Sequence, residues 1–293
     1  MALAVAARAV DFARLARHGL FGGAAFPAYL SRTDARLRAL HGQGLEVHLR
    51  VLEPADYEDY CEAFGLDPGA AAARVAYAAD PELAGEPFVY AGERLAELLP
   101  VLVDDHRARV RISIGCAALL AAVGEGPRGR SLMEAVMHHV TAVYLALAEG
   151  AGEGCHLLTL SCHGPEDGEE LATAAELCTE GGRLFAGGRD AEAFCVTLAA
   201  GTAARGTGAL LLHRDPAAPD GPQVCGWALA EGRLRPMSVR EVCGALAEGA
   251  GRGLPLPPGS AAVPAFALPP FPPPGGGGRG HSDASDGGGG PMA

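Results

Sequence analysis

Two spacings of apolar residues alternate along this chain, and the alternation restricts it to a fold that mixes helices with strands. Apolar side chains recur at i, i+3, i+4 and i+7 in Tyr57, Tyr60, Cys61 and Phe64, as on one face of an amphipathic helix. Residues 45–52 instead alternate with a period of two, which is typical of a half-buried strand. The sequence therefore predicts an α+β fold, with a mixed or mostly antiparallel sheet packed by amphipathic helices.

Start and stop signals place the helices along the chain. A Ser-x-x-Glu capping box begins at Ser131 and another at Ser238, and each precedes an apolar series of helical spacing. Pro165 is followed by a run of acids, which favour the positive end of a helix dipole. The predicted helices cover about 3–17, 27–41, 54–64, 95–102, 131–147, 165–178 and 238–248.

Short apolar runs between these helices predict the strands. Glu231-Gly232 is typical of a tight hairpin turn, and the Gly-rich stretch 201–208 is interpreted as a loop between two strands. The C-terminal half is thus expected to be a largely antiparallel sheet with helices on one face. The predicted strands cover 45–52, 155–162, 194–198, 209–213, 224–230 and 233–237.

The last 43 residues, 251–293, differ in composition from the rest of the chain. They hold 12 Gly and 10 Pro. The remaining apolar residues are too few to offset the conformational entropy that ordering would cost, so the sequence predicts a disordered tail. Within it, residues 269–274 (Pro-Pro-Phe-Pro-Pro-Pro) could form a polyproline helix that docks in a partner's aromatic groove. Residues 1–250 are expected to form one α+β domain, and an internal boundary near 124–130 stays open.

The net charge of −12 is unevenly distributed. Residues 1–50 hold seven Arg and three acids, whereas residues 51–105 hold two Arg and thirteen acids. Either these charges lie against each other within one domain, or a basic N-terminal surface meets an acidic partner. The second interpretation gives an interaction role to Arg8, Arg14, Arg17, Arg32, Arg36 and Arg38.

Composition excludes several kinds of chemistry. The chain contains neither lysine nor asparagine, which rules out a P-loop, a Schiff-base enzyme and a protein-kinase site. Loss of these residues together with abundant Ala, Gly, Arg and Pro indicates a GC-rich genome, bacterial or viral. The acidic charge and an aromatic content of 5% argue against nucleic-acid binding, and the longest apolar runs are shorter than a membrane span.

The eight cysteines lack C-x-x-C spacing, and the N-terminus lacks the plan of a signal peptide. We therefore expect reduced, mostly buried thiols in a cytoplasmic protein. Cys155-His156 and Cys162-His163 are seven residues apart, and along a strand the four side chains would point to two different faces. The sequence consequently predicts neither a metal site nor a cofactor.

One apolar strand ends in a residue pair with catalytic potential. Residues 156–164, His-Leu-Leu-Thr-Leu-Ser-Cys-His-Gly, are similar to the histidine-bearing strand of caspase-like cysteine peptidases. That resemblance implies that His163 is the base and that Cys195 is the candidate nucleophile. The tripeptide 104–106, Asp-Asp-His, is a second candidate for acid–base work or metal binding, although a solvated helix end explains it equally well.

Without a convergent polar motif, the sequence favours a non-enzymatic intracellular interaction or scaffold protein of a GC-rich bacterium or DNA virus. It would act through segregated basic (1–50) and acidic (51–105) surfaces and through the Pro-rich tail. A protein partner is expected, and self-association stays open. The alternative is a cysteine-dependent hydrolase that uses His163 and Cys195.

Overall fold

The computed structural model shows two sheets joined by long helices, which confirms the predicted α+β class. One sheet lies within residues 2–89 and the other within residues 154–262. Residues 124–130, where the sequence left an internal boundary open, form the turn between two helices and the first turn of the second helix. The structure describes residues 1–81, 83, 87–165, 170–186, 188–214, 221–251 and 260–270.

The N-terminal sheet has three strands in the order β1-β2-β3. Strands β1 and β2 are parallel, with Val5 opposite Val51, and β3 is antiparallel to β2. Two helices connect β1 to β2, as parallel strands require a long crossover. The elements are β1 (Ala2–Val5), α1 (Ala9–Leu15), α2 (Phe26–Gly42), β2 (His48–Val51), α3 (Pro54–Phe64), α4 (Ala71–Ala79) and β3 (Phe88–Val89).

Helices cover both faces of this small sheet. On one face, Leu37 of α2 packs with Val47, Leu49 and the start of the next helix, α5 (Leu95–Val123). On the other face, Leu15 of α1 packs with side chains of α3 and α4. The core of this module therefore consists of two separate buried clusters.

Helix α5 contributes buried residues to both halves of the protein. Leu95, Leu98 and Leu102 belong to the N-terminal core, whereas Leu119 belongs to the C-terminal core. Gly115 lets α5 approach the later helix α7 (Gly188–Ala203) closely, because a Cβ there would lie 2.8 Å from a methyl group of Val196. The helix is far longer than the predicted 95–102, since its later turns are buried by residues distant in sequence.

The C-terminal sheet has the strand order β10-β8-β7-β4-β5-β6, with β9 also paired to β8. All pairs are antiparallel except β10 with β8. Helices α6 and α7 cover one face, and α8 packs on the other, which corrects the expectation of helices on one face. The remaining elements are α6 (Gly126–Ala151), β4 (Gly154–His163), β5 (Glu170–Glu180), β6 (Arg183–Ala186), β7 (Gly208–His213), β8 (Gln223–Ala230), β9 (Arg233–Pro236), α8 (Val239–Gly251) and β10 (Ala261–Ala262).

Helix α6 is long and apolar enough, by length and composition alone, to cross a membrane, with a mean hydropathy of 1.2 in its most apolar window. Its apolar face is nevertheless used inside the protein. Val136, Val140, Val143 and Leu147 are almost fully buried in the main core cluster. In this fold α6 is a core helix.

Two predicted helices differ from the structure. The helix expected over 3–17 is only partly correct, since residues 2–5 form β1 and α1 covers Ala9–Leu15, and residues 170–180 form β5 rather than a helix. In β5 the residues Leu171, Ala175 and Leu177 are buried on one face, as in a strand. The segment also contains several alanines, and because alanine has the highest helix propensity, the sequence favoured a helix. The predicted helix start at 166–169 lies outside the described residues.

Residues 194–198 lie in α7 rather than in a strand, so residues 201–208 are not a hairpin loop. Helix α7 is buried on several sides, since it packs against the sheet, α5 and α6. A helix surrounded in this way has apolar residues all round, and a short piece of it is easily mistaken for a buried strand.

The expectation of eight reduced cysteines is also wrong. Cys155 and Cys178 face each other across the β4–β5 pair and form a disulfide. The strand register brings them together, with a Cα–Cα distance of 4.1 Å, across a sequence separation of 23. Of the free cysteines, Cys61, Cys162 and Cys225 are buried as expected, while Cys116 and Cys243 are exposed.

Part of the predicted disordered tail is ordered. Residues 260–270 form a strap, which adds β10 to the edge of β8 and then packs on the core. The indole Nε1 of Trp227 donates a hydrogen bond to the carbonyl oxygen of Phe266 at 2.8 Å, and the two rings meet edge to face. The prediction failed here because the few apolar residues of the strap pack against the main core cluster, a contact between segments distant in sequence. Residues 252–259 and 271–293 lie outside the described residues.

Replacement of Phe266 by alanine should release the strap. We expect a loss of about 3 kcal/mol in the free energy of unfolding, the lower end for a Phe→Ala change because Phe266 is half-buried. The emission of Trp227, the sole tryptophan, should shift to longer wavelength. Gly150→Ala should act in the same way, because a Cβ there would overlap the Phe266 ring.

Denaturation curves and tryptophan emission spectra check this prediction. Phe185→Ala on β6, at the opposite end of the sheet from β10, is the control, since Phe185 is 49% exposed and its loss should cost less stability and leave the emission spectrum unchanged. An unchanged emission spectrum in Phe266→Ala would show that the strap does not rest on Trp227 in solution.

Candidate functional site

A cleft of about 460 Å³ opens where β1 and β2 end, between their following loops and α5. Parallel strands carry their carboxyl ends at the same edge of a sheet, so the residues that follow them meet there. This volume is in the range of small-ligand sites. We call it the strand-end cleft; its lining is Arg8, Asp11, Val51, Glu53, Ala55, Asp56, Val103, His106, Arg107, Val110 and Arg111.

One wall of the strand-end cleft is acidic. Glu53 precedes α3 and caps it, with one carboxylate oxygen accepting the backbone N–H of Asp56 at 2.9 Å. Partial burial raises the pKa of Asp56, and the neighbouring Glu53 adds to the effect, although the residue keeps exposed surface. Burial lowers the pKa of His106, against the influence of Asp56 and Glu53. Asp56 and His106 therefore lie close enough to affect each other's pKa, and Glu53 is near both.

The other wall is basic, and its charges are neutralised to different degrees. Arg8 makes a two-pronged ion pair with Asp11, at 2.5 and 2.9 Å. Arg107 is 3.6 Å from Asp104, whose side chain is 72% exposed, so this pair is weak. Arg111 is half-buried and forms no direct ion pair among the described residues, although it lies near Asp190 of α7 and opposes the rise that burial causes in the pKa of Asp190. Arg107 and Arg111 are thus the two cations of this wall that lack a close, buried ion pair.

The candidate tripeptide 104–106 is divided between two roles. Asp105 is a structural residue, because its two oxygens bind Arg109 of α5 and Arg189 of α7, each at 2.6 Å. His106, the next residue, lines the strand-end cleft. The three side chains therefore do not form one acid–base or metal site.

Three of the six predicted arginines, Arg8, Arg14 and Arg38, pair with acids of the same module. Arg14 pairs with Glu58 at 2.5 Å, which joins the basic segment 1–50 to the acidic segment 51–105. Arg38 pairs with Asp34 one helical turn away. The two segments therefore meet where α1 packs beside α3.

The remaining predicted arginines are exposed. Arg32 donates its Nε–H to the carbonyl oxygen of Ala28. Arg17 and Arg36 form no ion pair with carboxylates of the described residues. Arg32 and Arg36 are one helical turn apart on α2, and Arg17 is in the turn after α1.

The predicted pair of His163 and Cys195 is not brought together by any described hydrogen bond. His163 lies exposed at the end of β4, where its Nδ1 is 3.2 Å from the carbonyl oxygen of Thr207. Cys195 lies on α7, half-buried in the core, and burial raises the pKa of its thiol to about 11. A thiol with that pKa is protonated at neutral pH, so the activation implied by the caspase-like resemblance is missing.

A second cleft of about 390 Å³ lies beside His163, between the sheet and α8. Its acid Glu241 is already engaged with Arg235 and with Ser238, bonds that lower the pKa of Glu241 to about 2. Ser238 and Glu241 form the capping box predicted for α8. This cleft is therefore shaped by a structural cap rather than by free polar groups.

Among the described residues, no group of three or more His, Cys, Asp or Glu side chains is placed to hold a metal ion. The strand-end cleft is included in that range. The residues that the sequence did not single out are Glu53, Asp56, Arg107 and Arg111. A signal existed for the first two, since they are acids directly after a predicted strand.

Residues 1–93 are similar to a family described as a domain of unknown function, DUF8829. The match covers the N-terminal sheet and the cleft residues from Arg8 to Asp56, and it stops just before α5. No curated protein and no solved structure matches the chain.

Asp105 should be critical for stability and its neighbour Asp104 should not. Asp105→Asn leaves Arg109, whose side chain is 7% exposed, without its counter-charge, and we expect a loss of about 3 kcal/mol. Asp104→Asn removes a solvent-exposed pair and should change the free energy of unfolding by less than about 1 kcal/mol. Urea denaturation measures both, and equal effects would contradict the structural role of Asp105.

Alkylation with iodoacetamide at pH 7.5 tests the state of the cysteines. The exposed Cys243 should react much faster than Cys195, because burial and a pKa of about 11 suppress the Cys195 thiolate. In denaturant without reductant, six thiols should react if the disulfide is closed. Preferential labelling of Cys195 in the folded protein would restore the hydrolase hypothesis.

Proposed function

We propose that this protein is a non-enzymatic interaction protein and that the strand-end cleft is its recognition site. The observation that carries the proposal is the arrangement of charge in the cleft. Asp56 and Arg111 both line the cleft, and neither forms a direct ion pair with a described residue, since His106 acts on Asp56 and Asp190 is near Arg111 only at longer range. Charges that line a cleft without a direct ion pair favour a partner that supplies closer counter-charges.

Binding rather than catalysis is supported by the composition of the lining. Its described residues include no serine, threonine, cysteine or tyrosine that could act as a nucleophile. Partial burial raises the pKa of Asp56, with a further contribution from Glu53. Partial burial also lowers the pKa of His106, although Asp56 and Glu53 act in the opposite direction. Such shifts also mark ligand-binding sites, where polar groups are held ready in a partly dehydrated environment.

The proposed partner is a protein, and a second copy of this chain is one outcome of the test. The Pro-rich residues 269–274 are proposed as an additional contact, since they directly follow the part of the strap, up to Leu268, that packs on the folded domain. The proposed setting is the cytoplasm of a GC-rich bacterium or of cells infected by a GC-rich virus. Six free cysteines support that compartment, whereas the disulfide of Cys155 and Cys178 counts against it.

Affinity capture with the full-length protein tests this function. Wild-type protein should retain a stoichiometric partner, and Asp56→Asn or Arg111→Gln should lower its recovery at least about tenfold, since each removes a charged contact. Asp59→Asn on α3 and Arg128→Gln on α6 are matched controls, because both side chains are exposed and outside the cleft. Equal recovery with all five proteins would overturn the assignment of the recognition site.

A further inference from the structure

The strand-end cleft separates an anion-binding wall from a cation-binding wall. Arg107 and Arg111 are on consecutive turns of α5, at i and i+4, so their side chains point the same way. Neither has a strong ion pair, because Arg107 is 3.6 Å from the exposed Asp104, and Arg111 acts on Asp190 of α7 without a direct ion pair. Two guanidinium groups in this arrangement suit a carboxylate, which accepts paired hydrogen bonds from arginine.

The acidic wall lies across the cleft, where β2 ends. Glu53 and Asp56 form no direct ion pair among the described residues, although Arg8 lies near Glu53 and His106 near both acids. Glu53 is held in place because it caps α3. Neither the residues here nor others in the described chain form a three-ligand metal cluster. An organic cation, such as an ammonium or guanidinium group, is therefore the complement of this wall.

The floor between the two walls is apolar. Val51 at the end of β2 and Val103 and Val110 of α5 line it, and Val51 is buried. An aliphatic stem would cover these side chains and remove their surface from water. A purely anionic ligand such as phosphate would be repelled by the carboxylates of Glu53 and Asp56, which line the same cleft. A ligand that carries both a negative and a positive charge complements both walls.

We infer that the strand-end cleft binds a ligand with a carboxylate and a basic group on one short aliphatic stem, which is the chemistry of a C-terminal arginine or lysine. The inference rests on the proposed function, because it names the part of the partner that enters the recognition site. The same chemistry occurs in the free amino acids. In this arrangement the carboxylate lies against Arg107 and Arg111, and the basic side chain crosses the valines to Glu53 and Asp56.

Isothermal titration calorimetry with the full-length protein tests the inference. The probes are acetyl-Ala-Val-Arg with a free carboxylate, the same peptide as its C-terminal amide, the peptide with norleucine in place of arginine, and free L-arginine. We expect the free-carboxylate arginine peptide to bind at least about tenfold more tightly than the amide or the norleucine peptide, since each lacks one charged contact. Binding of free L-arginine with equal affinity would identify the amino acid, rather than a peptide end, as the source.

Two variants assign the two ends of the ligand. Arg111→Gln should abolish the difference between carboxylate and amide, and Asp56→Asn should abolish the difference between arginine and norleucine. Asp59→Asn and Arg128→Gln should preserve both differences. Thermal unfolding of each variant shows that it is folded, so a lost difference reports on the cleft itself.

The outcomes separate this inference from the function on which it rests. If the four probes bind equally or none binds at millimolar concentration, while the cleft variants still lose the captured partner, the ligand class is wrong and the interaction site stands. If the arginine peptide binds as expected but partner capture is the same in all variants, the ligand class stands and the proposed interaction function fails.

Discussion

Helix α5 is the element on which the rest of the structure depends. It is about 44 Å long at 1.5 Å per residue, enough to reach from the N-terminal core to the C-terminal core. Two contacts fix its position against α7: the close approach at Gly115 and the Asp105 carboxylate shared by Arg109 and Arg189. Because the same turns that hold Asp105 also carry His106, Arg107 and Arg111, fixing α5 also positions one wall of the strand-end cleft. The packing of the whole protein and the geometry of the cleft are therefore set by one helix.

Electrostatics divides the arginines into two groups with different roles. Arg8, Arg14 and Arg38 each form an ion pair with an acid. Part of the positive charge of this lysine-free protein is therefore compensated within the fold. Arg111 is half-buried but forms no direct ion pair among the described residues and interacts with Asp190 only at longer range. A partly buried charge without a direct partner costs free energy, which a ligand of opposite charge recovers. That contrast, rather than the total number of charges, distinguishes the cleft from the ordinary surface.

Local signals predicted much of the secondary structure. Helix α2 was expected over 27–41 and is Phe26–Gly42, and the capping box at Ser238 starts α8. The box at Ser131 was wrong, since α6 begins five residues earlier at Gly126, where Pro127 occupies the first turn. The cleft could not be predicted in the same way. Its walls come from residues about 50 positions apart, and no spacing within a helix or strand records that they meet.

The sequence by itself determined the α+β class, the absence of lysine chemistry and the acidic balance of the chain. These follow from composition and from periodicities that reflect which side of a local element is buried. Tertiary structure alone decided that Cys155 faces Cys178, that Phe266 packs on Trp227, and that opposite charges line one cleft. Each of these depends on strand register or helix packing between distant segments. Such contacts are selected by the burial of the whole core, so a local pattern cannot specify them.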